Sequence, residues 1–172
     1  MTKNAFAERY DVTMDFSDLL MQVARAESKR SAALCSRLAD QFEDDLLEYA
    51  DFPDEHLMLF MTLLSDRRYF ERPGIWNFVL AVNNARDALT KEQLERIGEA
   101  FVANFQNYLD PDLCLAVCDF VARNIQPSRA AELLKELKLR EAVKPSDVQG
   151  IVDQGFFILS QEVKRAAQRA GG

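Results

Sequence analysis

Thr90–Leu109 reads TKEQLERIGEAFVANFQNYL, and its apolar residues decide the fold class. Leu94, Ile97, Phe101, Val102, Phe105, Tyr108 and Leu109 recur in steps of three and four, so they form one stripe of a helix rather than one face of a strand. Thr90 followed by Gln93 is a capping-box start. Asp110-Pro111 predicts the stop, because a residue before proline is pushed out of the helical region.

The same reading extends in both directions. PDLCLAVCDFVARN opens with Pro111 in a permitted first-turn position and runs to about Asn124. Pro127-Ser128 opens PSRAAELLKELK, with Ala130, Leu133, Leu134 and Leu137 inward. A last helix is expected from Pro145-Ser146-Asp147 to about Gln168, on a stripe of Val148, Ile151, Val152, Phe156, Leu159, Val163 and Ala167. Phe157 and Ile158 widen that stripe, so its middle should touch two neighbours.

Upstream, helices are expected over about Ser17–Ala26 and Ser28–Ala50. DEHLMLFMTLLSD after Pro53, and IWNFVLAVNNARDAL from Ile75, are apolar on nearly all sides and so belong at the centre. In that last stretch Asn77 and Asn84, if buried, need hydrogen-bond partners. The sum is an all-α chain of about eight helices with short connections, read as one domain over residues 1–172. Residues 1–14 are expected to be a flexible tail and 169–172 a frayed end. Two segments rhyme: DFPDEHLMLFMTLLSDR and LDPDLCLAVCDFVARNI each place Pro-Asp ahead of an apolar helix, 58 residues apart. This resembles the helix-pair logic of HEAT-type α-solenoids, and an antiparallel bundle without repeats is the alternative.

Composition narrows the function. At 172 residues and 48% hydrophobic, the chain can bury a core without disulfides or metals. No run approaches the roughly 20 apolar residues of a membrane span. The amino terminus has no apolar signal-peptide core, so a cytoplasmic protein is expected. Cys35, Cys114 and Cys118 are an odd number without framework spacing and read as reduced thiols in the core. The net charge of −7 disfavours general nucleic-acid binding. It is unevenly spread: residues 1–122 hold 12 basic and 22 acidic side chains, a net of −10, whereas residues 123–172 hold 9 and 6, a net of +3. The plainest meaning is that the two ends of the fold attract one another.

Residues 40–66 hold nine carboxylates, the only histidine (His56), and no lysine, arginine or glycine. A di-iron bundle needs Glu-x-x-His twice, a zinc protease needs two histidines four apart, and an EF-hand needs a glycine at its turn. None is present, so no metal, cofactor or catalytic residue is assigned. Glu43, Asp44, Asp45 and Glu48 fall between the apolar positions Phe42, Leu46 and Tyr49 and read as a solvated ridge. Asp54 and Glu55 suit the first turn of the next helix.

The better candidate surface is DRRYFERPGIWNF, Asp66–Phe78, where Arg67, Arg68 and Arg72 alternate with Tyr69, Phe70 and Trp76. Arginine, tyrosine and tryptophan are the commonest interface anchors. The structural alternative is a packed corner whose arginines neutralise the adjacent acids. The leading reading is an interaction module (adaptor, inhibitor, immunity or regulatory protein) that binds another protein, one with a basic surface included, through an exposed groove or through Arg67, Arg68, Tyr69, Arg72 and Trp76. The second reading is an enzyme using carboxylates of residues 40–56, with or without a metal. The third is a nucleic-acid binder using the basic carboxyl-terminal third, where Lys164, Arg165 and Arg169 also complement a helix C-terminus. A homodimer is compatible with any amphipathic helix.

Overall fold

The computed structural model describes residues 86–171 continuously, together with Asp54, Leu57, Met61, Val79, Val82 and Asn83. Among the described residues there are four α-helices and no strand: α1 Lys91–Asn104, α2 Pro111–Asn124, α3 Pro127–Glu141 and α4 Ile151–Ala170. No described helix is long and apolar enough to cross a membrane.

The expected caps form. The Thr90 hydroxyl accepts from the Gln93 N–H at 3.2 Å, and the Gln93 side-chain oxygen accepts from the Thr90 N–H at 3.0 Å. Asp110 caps α2 by accepting from the Leu113 N–H at 3.1 Å, and Pro111 takes the first turn. These two devices satisfy donors that a helix start otherwise leaves unpaired.

Helix directions follow from named contacts. Arg86 donates to Asn124, so α2 ends beside the start of α1. Arg129 at the start of α3 reaches Glu95 and Glu99 of α1, and Arg140 at its end reaches Gln106, so α3 runs with α1. Arg123 near the end of α2 pairs with Glu162 of α4 at 2.8 Å. Both α1 and α4 pack on α2 and α3. The core between them holds Ile97, Phe101, Phe105, Phe120, Leu134 and Leu137, with Phe101 and Phe120 edge to face at 5.3 Å. Leu57, Val79 and Val82, from the two stretches expected at the centre, are fully buried in the same cluster.

Cys114 and Cys118 are buried free thiols. Cys35, Asn77, Asn84 and the helices expected over 17–50 lie outside the described residues.

Three local expectations are corrected. Leu109 does not join the α1 stripe: the helix tightens into a 3-10 turn over Phe105–Asn107 and the chain is extended at Tyr108, so Tyr108 turns inward and Leu109 outward. The last helix starts at Ile151, not near Pro145. Gly150 at φ 90° is left-handed, so the helix cannot extend back through it, and Pro145–Gln149 form turns that still bury Val148. Ile158 packs against the core as expected, but Phe157 is 64% exposed and Val163, in the expected inner stripe, is 44% exposed.

Candidate functional site

The polar groups with unusual surroundings gather where the α1–α2 and α3–α4 connections meet. Lys144 is only 6% exposed. Its ammonium donates to the Tyr108 carbonyl and lies 4.5 Å from the centre of the Phe105 ring. The Cys114 thiol donates to the same carbonyl at 3.4 Å. Burial lowers the Lys144 pKa, and interaction with Cys114 works the other way. Burial pushes the Cys114 thiol up to about 11, against a smaller downward pull from Lys144. Cys118 and Tyr108 are also raised, in both cases chiefly by burial. A protonated, buried thiol is a poor nucleophile. The arrangement therefore acts as a tie between two connections, with lysine and cysteine satisfying one carbonyl.

One turn earlier, Glu141 is 2% exposed although it is the last residue of α3. Its carboxylate accepts from the Val152 N–H of α4 at 2.9 Å and pairs with Lys138 at 2.8 Å. Lys138 also reaches Asp153 at 2.8 Å. Gly150 offers no side chain to cap α4, so a carboxylate from the preceding helix does so, in the place where a helix start favours negative charge.

On the surface, Leu139 and Val143 are 77% and 85% exposed, and Leu109 is exposed beside Tyr108, which Lys144 ties to the α3–α4 connection. At the opposite end, every residue from Val163 to Gly171 is exposed. That end of α4 carries Lys164, Arg165 and Arg169; Arg165 pairs with Glu162, and Lys164 and Arg169 make no ion pair among the described residues.

The corner residues Arg67, Arg68, Tyr69, Arg72 and Trp76 lie outside the described residues, as do His56 and the acidic stretch up to Asp51. Asp54 is the described member of that stretch. Its carboxylate accepts from the Gln93 side chain at 3.1 Å and pairs with Arg96 at 3.6 Å, on the first turns of α1. Among the described residues no three histidine, cysteine or carboxylate side chains converge as a metal site.

Lys144 carried no signal in the sequence, since its burial depends on two connections distant in the chain. Glu141 did carry one: an acid in the last turn of a helix opposes the dipole and implies a donor from elsewhere. No family model, curated protein or solved structure matches the chain.

Proposed function

We propose that the chain is a non-enzymatic protein–protein interaction module, an adaptor, inhibitor, immunity or regulatory protein in the cytoplasm. On this reading it is one domain of about eight helices in HEAT-like pairs or an antiparallel bundle. The observation that carries it is the exposure of large apolar side chains: Leu139 on α3, Val143 in the α3–α4 connection and Phe157 on α4 face solvent, while Leu137, Val148 and Leu159 are buried. Leu139 and Val143 stand four residues apart across the end of α3, and exposed apolar side chains close together favour partner contact over solvation. The Arg67–Trp76 corner is the second surface offered to a partner, and its composition is what supports it.

The test is affinity purification of the intact chain from native extract, alongside a Leu139→Ser/Val143→Ser variant and an Arg67→Ala/Arg72→Ala variant. A partner retained by the parent chain and lost from at least one folded variant is the expected result. A partner held equally by all three would remove both surfaces from the proposal. Recovery of no partner would count against the interaction reading itself.

A further inference from the structure

We propose that the α3–α4 connection, residues 142–150, is a lid over the Cys114 thiol, latched by Lys144 and able to open while the four helices stay packed. The connection is folded largely on itself. The Lys144 N–H donates to the Glu141 carbonyl at 2.9 Å, the Val148 N–H to the Pro145 carbonyl at 3.0 Å, and the Gln149 side chain to the Lys144 carbonyl at 2.9 Å. Of residues 142–150 only Lys144 and Val148 are buried. Among the described residues, the bond from the Lys144 ammonium to the Tyr108 carbonyl is the side-chain hydrogen bond that joins this segment to another element. A segment with so few outward contacts belongs to the low-stability end of a fold and opens locally.

The two buried thiols of α2 lie one turn apart and have different covers. The Cys114 thiol donates to the Tyr108 carbonyl at 3.4 Å, the same oxygen that Lys144 holds. Lys144 and Asp147 of the connection both act electrostatically on Cys114, together with Asp110 at the start of α2 and Glu141 at the end of α3. The charges that act on Cys118 belong to Glu141 and Asp119. Cys118 is covered by α4 itself: its Cβ stands only 3.0 Å from where a Cβ at Gly155 would lie. Lifting the connection therefore uncovers Cys114 and leaves Cys118 beneath a helix.

Lys144 has the chemistry of a latch. Tyr108 follows the 3-10 turn that ends α1, and carbonyls at a helix end favour a cation. The face of the Phe105 ring holds the same ammonium at 4.5 Å. No carboxylate pairs with it among the described residues, so water competes for it as soon as the segment lifts. Cys114 then remains on the Tyr108 carbonyl as a weak donor. The lid carries the exposed Val143, which on the interaction reading links access to Cys114 to occupation of that surface; the lid itself does not depend on that reading.

Alkylation of the intact chain with N-ethylmaleimide, followed thiol by thiol by peptide mass spectrometry, tests the lid. In the closed fold Cys114 and Cys118 are equally inaccessible, both 0% exposed. Cys114 should react roughly tenfold faster than Cys118 or more, with a rate nearly flat in dilute urea while that of Cys118 climbs, because a local opening exposes little new surface. Lys144→Met keeps the stem and removes the donor. It should speed reaction at Cys114 about tenfold, as loss of a charge-assisted hydrogen bond implies, and leave Cys118 within about twofold. The comparison of the two thiols in the parent chain holds whether or not that variant folds. Reaction of both thiols at one rate with one urea dependence, faster reaction at Cys118, or a folded Lys144→Met variant with no gain at Cys114 would each overturn the proposal.

Discussion

Gly155 shows how closely single residues set the helix packing. A Cβ there would stand 2.8 Å from Leu134 Cδ2, a side-chain end, and 3.0 Å from Cys118 Cβ, which the α2 backbone holds in place, so α4 meets α2 at a point with little room for a methyl group. Gly98 looks tighter, with Ile125 Cδ1 at 2.2 Å, but that atom ends a side chain that can rotate. Overpacking costs about 1–3 kcal/mol, while glycine to alanine in a helix returns about 1 kcal/mol. Gly155→Ala should therefore destabilise by ~1–2 kcal/mol and Gly98→Ala should be near neutral. Urea denaturation midpoints separate the two, and equal losses would contradict the distinction between fixed and movable neighbours.

The buried titratable residues make a pH prediction. In the folded chain Cys114 holds its proton to about pH 11, whereas the unfolded thiol, with its ordinary value of 9.0, releases it. Between those values the folded state binds more protons, so stability falls as pH rises. Cys118 and Tyr108 are raised as well and add to the fall. Lys144 is lowered, so in the window below its ordinary value the unfolded chain binds more protons and its contribution rises with pH. Three groups oppose one, and denaturation midpoints should fall from pH 8.5 to 11. A Cys114→Ala/Cys118→Ala variant should show a shallower fall, whatever its stability at neutral pH. Parallel profiles would contradict the assignment.

At the scale of elements, the α3–α4 junction replaces a local cap with a distant one. Gly150 turns the chain but cannot accept from α4, and the Glu141 carboxylate does. Glu141→Ala leaves the Val152 N–H buried without its acceptor, a cost of about 1–3 kcal/mol. Glu141→Gln keeps an acceptor oxygen and should lose less. Faster amide exchange at Val152 in the alanine variant alone would identify the cap as the cause; equal losses in both variants would point to the charge instead.

The same junction explains what could be read in advance. The starts of α1, α2 and α3 were legible because Thr90-Gln93, Asp110-Pro111 and Pro127 act within four residues of themselves. The start of α4 was not, because its turn needs a left-handed glycine and its cap comes from eleven residues upstream. Leu109 was misplaced because periodicity assumes one helical pitch, and α1 changes pitch at Phe105. The buried Lys144 was invisible for a similar reason: a lysine after a helix reads as solvated unless two distant connections close over it.

Over the whole molecule, charge is the organising quantity. Among the described residues Asp54 pairs with Arg96 near the start of α1, while Lys164 and Arg169 stand on the exposed end of α4. Surface pairs are individually weak, about 0–1 kcal/mol, and are screened by salt. Arg129 gathers several such pairs at one side chain, reaching Glu95 and Glu99 of α1 and Glu132 of α3, and so braces the two helices together.

Amide hydrogen exchange along α4 tests the packing of that helix on α2 and α3 most directly. Val152 and Leu159 are buried and residues 163–170 are exposed, so Val152–Leu159 should exchange slowly and residues 163–170 rapidly. Equal exchange along the whole of α4 would contradict that packing.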